Sequence, residues 1–310
     1  MAFTAQDVKK LREMTGVGMM DCKKALTASE GDMDKAVEWL REKGLAASQK
    51  KAGRIAAEGI SYAVNIDGIG VIVEVNSETD FVSKNEKFVE FTKGVARTIV
   101  ATNPADVEAL LAAKYDGTDL TVEQQQQEMV LVIGENIHVR RFSKYDADLS
   151  VPYVHMGGRI GVLVNMTVDE AAKDNAQVIE LGKDLAMQVA ALNAPYLDKE
   201  DVPAEIIENE KKVNMALLNE NPKDAGKPDA VKEKIVTGRI NKYYKENCLL
   251  QQAYVKDDKM SVEQHVAAVA KEVGATIKVN GYTRFETGEG IEKKQENYAE
   301  EIASLVNGGK

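Results

Sequence analysis

Apolar positions recur at helical spacing through residues 4–54. Thr4 stands where an N-cap belongs, ahead of Val8, Leu11 and Met14. Thr15-Gly16-Val17-Gly18 then ends this first helix, because glycine accepts the left-handed backbone that closes helices. A second helix over residues 20–27 carries Cys22, Ala25 and Leu26. After the Glu30-Gly31 turn, a third covers residues 32–43, with Met33, Ala36, Val37 and Leu40 at i, i+3, i+4, i+7 spacing. Gly44 is expected to close it, and residues 46–54 to form a separate basic linker helix. The period then changes to two. Ile60, Tyr62, Val64 and Ile66 alternate with smaller or polar residues, Asp67-Gly68 signals a hairpin turn, and residues 70–75 read as the returning strand. A helix bearing Phe88, Phe91, Val95 and Ile99 follows.

This strand–helix pattern occurs twice. Tyr62 and residues 69–73 find Tyr153 and residues 160–164 at an offset of 91, and Glu90, Lys93, Ala96 and Asn103 find Glu180, Lys183, Ala186 and Asn193 at 90. Further on the offset is 140: residues 121–124 answer 261–264, Gly134 answers Gly274, and residues 142–145 answer 282–285. The jump from 90 to 140 marks an insertion of about 50 residues. The insertion reads as two helices around the turn-rich segment 221–228, an αα-hairpin. Two placements are open to it, against its own body or against another chain, the latter giving a homodimer. An amphipathic helix with Ile291, Tyr298, Ile302 and Leu305 ends the chain. The expected division is therefore residues 1–54, 55–145, 146–195 with 245–285, an inserted hairpin at 196–244 and a C-terminal module at 286–310, in an α+β fold.

Composition narrows the function. The chain has 310 residues and a net charge of −10, which disfavours a partner tracked through its phosphates, so no direct nucleic acid is expected. Its apolar runs are far shorter than the ~20 residues of a membrane span, and MAFTAQDVKK lacks the apolar segment of a signal peptide. Cys22 and Cys248, far apart and outside any C-x-x-C pattern, fit a reducing compartment. A cytoplasmic protein is the expectation. There is no G-x-x-x-x-G-K-[ST] loop, the three histidines lack a second ligand at metal spacing, and no nucleophile elbow occurs, so neither an enzyme nor a cofactor is expected. Cys22 falls on an apolar helix face and the Gln124 to Gln127 run on a polar one.

One loop resists a packing explanation. In residues 76–86, Ser83 and Glu86 match a capping box, so the helix is expected to start there. Phe81 and Val82 would then sit at a strand-to-helix corner. As a hydrophobic staple Val82 would face Lys87, a poor partner, and the duplicate has Ala171 where this copy has Phe81. Either a staple or a projecting tip at Asp80-Phe81 fits.

Residues 15–26, TGVGMMDCKKAL, resemble the N-terminal signature of bacterial translation elongation factor Ts, and Thr79-Asp80-Phe81-Val82 resembles that family's central motif. Residues 155–164 and 284–293 are similar to two further patterns of the family, and the matches run in order along almost the whole chain. The resemblance implies a ubiquitin-associated-like three-helix domain, two related α+β subdomains, the inserted hairpin and a C-terminal module. It also implies a guanine-nucleotide exchange factor that releases GDP from elongation factor Tu, binding both its GDP-bound and nucleotide-free forms. In that family the N-terminal domain and C-terminal module grip the GTPase domain, and the second subdomain touches another domain. Thr79, Asp80, Phe81 and Val82 would displace the nucleotide's Mg²⁺; Met19, Met20, His155, Arg159, Gly288 and Gly290 would contact the partner. The rival reading is a protein-interaction adaptor working through the N-terminal helices.

Overall fold

The computed structural model describes residues 3–292. Ten α-helices and eight strands occur among the described residues. In chain order they are α1 (Ala5–Thr15), α2 (Met19–Ala28), α3 (Met33–Lys51), β1 (Glu58–Ile66), β2 (Ile69–Ser77), α4 (Glu86–Thr102), α5 (Val107–Ala112), α6 (Val122–Ile133) and β3 (His138–Tyr145). There follow β4 (Leu149–His155), β5 (Ile160–Val168), α7 (Ala176–Leu192), α8 (Ala204–Glu220), α9 (Asp229–Asn247), β6 (Ala253–Tyr254), β7 (Asp257–Ser261), α10 (Val262–Val273) and β8 (Ile277–Glu286). The fold is α+β. The terminal amphipathic helix expected beyond Ile291 lies mostly outside the described residues.

Thr4 caps α1 in a reciprocal box with Asp7, and Gly16, at φ +69°, closes it. Val8, Leu11, Val17, Cys22, Ala25, Leu26, Ala36 and Leu40 form the core of the three N-terminal helices. Gly44 does not end α3, and residues 46–51 continue the same helix. A glycine inside a helix costs about 1 kcal/mol against alanine. Here it gives α3 a close seat on α6: a Cβ at Gly44 would lie 3.2 Å from the Gln127 carbonyl oxygen. Leu131 and Val132 of α6 join the N-terminal core, Arg41 pairs with Glu128 (3.2 Å), and Lys51 Nζ donates to the Gly134 carbonyl. The Gln run is not a simple polar face either. Gln124 closes the cap of α6, and Gln126 is buried, accepting from the Val139 amide at 3.0 Å.

The body contains two antiparallel sheets of three strands, ordered β1-β2-β3 and β4-β5-β8. Their irregularities coincide. Each middle strand has a register shift against its partner, between Glu74 and Val75 in one and between Asn165 and Met166, 91 residues on, in the other. Asn85 and Asn175 cap α4 and α7, which close on the left-handed Asn103 and Asn193 (φ +46° and +44°). Thr121 and Ser261 form capping boxes for α6 and α10, which end on Gly134 and Gly274. The match of Tyr62 to Tyr153, however, is two residues out of register. Tyr62 faces Val73, whereas Tyr153 faces Val162, and Val151 takes the place opposite Val164. The β4–β5 turn, Met156 to Arg159, is longer than Asp67-Gly68 by two residues, and the strand before it shifts by that amount.

One face of each sheet is covered by helices. Val71, Val73 and Val75 pack with Phe88, Phe91, Val95 and Val130, and Val162, Val164 and Met166 with Leu181, Leu185, Val189 and Val266. The other faces meet through a thin layer of Ala63, Ile72, Leu163 and Phe285. Gly70 and Gly161 occupy equivalent places in it. A Cβ on Gly161 would lie 2.8 Å from the Ser61 carbonyl oxygen, and one on Gly70 would lie 2.5 Å from Ser150 Cβ. Helices α8 and α9 have a separate core of Val202, Ile207, Leu218, Val236, Ile240 and Cys248, with Val213, Leu217 and Val231 exposed.

Gly161→Val should force the sheets apart and lower stability by about 1–3 kcal/mol. Gly226→Ala, where nothing lies within 4 Å of the added carbon, serves as control. Urea unfolding should show a lower midpoint for the first and none for the second; equal shifts would mean that the sheet contact carries no special constraint.

Candidate functional site

The corner between β2 and α4 is built by hydrogen bonds at every step. Ser77 Oγ donates to the Thr79 carbonyl (3.0 Å), and the Glu78 carboxylate accepts from the Asn136 amide (2.6 Å) and from Arg54 (3.4 Å). Thr79 donates both its amide (2.9 Å) and its hydroxyl (2.6 Å) to Glu135. Ser83 Oγ donates to the Asp80 carbonyl at 2.6 Å. Ser83 is therefore not the cap of α4: it lies in a 3-10 turn, Val82–Lys84, and Asn85 caps the helix by accepting from the amides of Lys87 and Phe88. The 3-10 turn takes up Ser83 and puts Asn85 at the helix entrance.

Between these braces Phe81 stands 80% exposed, with an unstrained right-handed backbone. Its neighbour Val82 is 5% exposed and packs in the core beside β2 and α4. Lys87, the expected staple partner, instead reaches across to donate to the Gly16 carbonyl (3.0 Å). Of the four motif residues, then, Thr79 is fastened, Asp80 and Phe81 face solvent, and Val82 is an anchor.

The remaining singled-out residues fall into two groups. Met19 and Met20, 42% and 65% exposed at the start of α2, follow the turn that Lys87 holds beside α4. His155 and Arg159 flank the β4–β5 turn, Thr287 ties that turn to the segment with Gly288, and Gly290 lies beside Arg140. The Tyr153 hydroxyl and His155 Nδ1 are 2.9 Å apart, and the Thr287 amide and hydroxyl donate to the carbonyls of Arg159 and Gly158 (both 2.9 Å). The turn that carries Met156 lies against the Val82–Lys84 turn. Arg159 and Gly290 are exposed.

Gly288 is buried and donates its amide to Glu74 Oε1 at 2.7 Å. Its φ of +75° requires glycine, since a Cβ would lie 2.0 Å from the Ala57 carbonyl oxygen. Glu74, wholly buried, also accepts from Asn76 (2.9 Å), Arg140 (3.0 Å) and Arg141 (2.6 Å). Arg141 stacks 4.3 Å from the centre of the Phe285 ring. Burial pushes the Glu74 carboxyl up, but the four donors outweigh it and hold it below the usual glutamate value. The first residues of the expected C-terminal module are thus knotted into the body. Sequence reading missed Glu74, Arg140, Arg141, Lys87 and Glu135, each of which has a partner more than 50 residues away.

Elsewhere the reactive groups are shielded. Cys22 and Cys248 are buried; burial, then the acids Asp198, Asp201 and Glu200, push the Cys248 thiol up to about 11. Among the described residues no group of three His, Cys, Asp or Glu is placed to hold a metal ion, and no helix is long and apolar enough to cross a membrane.

The corner thus presents an exposed aromatic on a backbone fastened on both sides of it. The pattern of the family described as "Elongation factor TS" matches residues 78–289. An elongation factor Ts of Clostridium perfringens (strain SM101 / Type A) is 50% identical over 313 residues, which cover 99% of this chain and 100% of that one. Those of Clostridium botulinum (strain Alaska E43 / Type E3) and Syntrophotalea carbinolica are 48% and 46% identical, covering 98% and 99% of this chain and 99% and 100% of their own. The chain belongs to the elongation factor Ts family, a family of translation elongation factors.

Glu74→Gln should leave Arg140 and Arg141 without their buried counter-charge and lower stability at pH 7 by about 3 kcal/mol. Because the folded carboxyl lies below its unfolded value of about 4.3, the wild type gains stability above that pH and loses it as pH falls through the folded value. The variant should lack this acid-sensitive component. Urea unfolding at stepped pH checks both; parallel pH profiles would contradict the assignment.

Proposed function

We propose that this chain is a guanine-nucleotide exchange factor for elongation factor Tu, acting in the cytoplasm during translation elongation. It carries out no chemical reaction of its own. GDP in such a GTPase is held by Mg²⁺ and by the backbone amides of the phosphate loop. A factor need not touch the nucleotide; it has only to stabilise a form of the GTPase whose Mg²⁺ site is spoiled.

The observation that carries this reading is the exposure of Phe81 on a corner braced from both sides. A backbone held this way loses little freedom when the ring enters a partner. Burying it is worth about 1.5–3 kcal/mol, roughly a 10- to 150-fold change in an equilibrium. Asp80 beside it competes for the polar groups that orient the metal's ligands, Thr79 sets the angle, and Val82 fixes the corner to the core. Met19 and Met20 on one flank, and His155, Arg159 and Gly290 on the other, supply the wider grip on both GDP-bound and nucleotide-free partner. Gly288 contributes by holding that flank in place. The division into an N-terminal three-helix unit, two related body units, a hairpin and a C-terminal module belongs to the same reading. Coupling is reciprocal, so GDP weakens the factor as much as the factor weakens GDP. GTP refilling the site then ejects the factor.

Phe81→Ala should slow stimulated release of a fluorescent GDP analogue from elongation factor Tu by about 10- to 150-fold in stopped flow. Affinity for the nucleotide-free GTPase should fall much less. Equal losses in both would reduce Phe81 to an anchor, and no acceleration by the folded wild-type chain with a matched GTPase would end the exchange-factor reading.

A further inference from the structure

The Phe81 corner is held from outside its own loop. Thr79 directs its only two hydrogen-bond donors, at 2.9 and 2.6 Å, to the two oxygens of Glu135, 56 residues away in the turn between α6 and β3. That turn is itself fastened. The Asn136 amide donates to Glu78, the Asn136 side chain donates to the Arg54 carbonyl (2.8 Å), and Lys51 at the end of α3 donates to the Gly134 carbonyl. Glu135 therefore stands on a frame made by α3, α6 and β3.

The duplicated half separates what the fold needs from what the tip needs. The bond from the Asn136 amide to Glu78 has a counterpart there: the Thr276 amide donates to Asp169 at 2.7 Å. This link belongs to the architecture, since both halves make it. The clamp on Thr79 has none. At the offset of 140 that relates α6 to α10, Glu135 corresponds to Ala275, which has no side-chain acceptor. At the offset of 90 that relates the helix caps Asn85 and Asn175, Phe81 corresponds to Ala171. The half without the aromatic also lacks the carboxylate. Both halves cap their helices and turn their corners, so Glu135 is not required to make the corner.

We propose that Glu135 is a positioning residue that clamps Thr79 and thereby fixes the direction in which Phe81 enters the partner. The proposal rests on the exchange-factor reading. A carboxylate with two donors makes charge-assisted bonds, stronger and more directional than neutral ones. Releasing them leaves Val82 anchored and the ring attached, but lets the peptide between them swing.

The test is a double-mutant cycle on the full-length chain, read by stopped-flow release of a fluorescent GDP analogue from elongation factor Tu over a range of factor concentrations. Glu135→Ala should lower the rate at saturating factor by about tenfold, the scale of one lost charge-assisted bond, with half-saturation changed less than about twofold. Glu135→Gln, which keeps one acceptor oxygen, should fall between Ala and wild type. Thr79→Val, which loses the hydroxyl donor and keeps the amide, should do likewise. In a Phe81→Ala background Glu135→Ala should cost almost nothing more, because the clamp acts only through the ring. Amide hydrogen exchange at Thr79 should quicken in Glu135→Ala while the amides of β2 and α4 keep their protection.

An unchanged saturating rate, a full tenfold loss even without Phe81, or an unchanged Thr79 amide would each overturn the proposal. If Phe81→Ala alone leaves release unaffected, the wedge itself fails and takes the positioning role with it. The Thr79 amide still reports whether the clamp exists, so the two failures are told apart.

Discussion

Glu74 is a carboxylate with no exposure, set where two sheets meet, and much of the molecule is organised by keeping it charged. A lone buried carboxylate would cost several kcal/mol and would protonate instead. Two arginines from β3, an amide side chain from its own strand and the backbone of Gly288 surround it. These donors come from chain segments up to 214 residues apart, so satisfying one charge requires the first sheet, the last strand of the second and the segment after it to be assembled together. The same requirement fixes Thr287, which holds the His155–Arg159 turn, and that turn lies beside the Phe81 corner. An electrostatic necessity in the interior thus reaches the surface that carries Phe81.

The parts of this design that were legible beforehand are those written in local chemistry. Thr4 announces its helix and Gly16 the end of it, because capping involves residues three or four apart. The duplication was legible through offsets, and the structure repeats them down to the register shifts at Glu74 and Asn165. The fold departs from the local pattern where a short turn or a neighbouring element decides. Ser83 and Glu86 match a capping box, but residues 82–84 form a 3-10 turn and Asn85 caps the helix. Gly44 looks like a helix end, and the proximity of α6 makes it a point of close approach instead. The Tyr62–Tyr153 match was drawn across a turn that had grown by two residues.

For the candidate site the motif residues 79–82 stood out early, yet their separate tasks did not. Nothing local distinguishes exposed Phe81 from buried Val82 beside it, since both are apolar and adjacent. Only the packing of Val82 with α4 and the fastening of Thr79 to a distant carboxylate do so. Long-range polar contacts leave no periodic trace in a sequence, which is why Glu74, Lys87 and Glu135 were invisible until the chain was folded.

The two halves of the body are alike enough to offer similar corners, one ending in Phe81 and the other in Ala171. On the proposed reading, a repeated frame would offer a partner two comparable places to bind. Replacing an aromatic by a methyl group at one corner removes that ambiguity. What was doubled in framework is left single in address, so the molecule has a front and a back despite being built from two versions of one part.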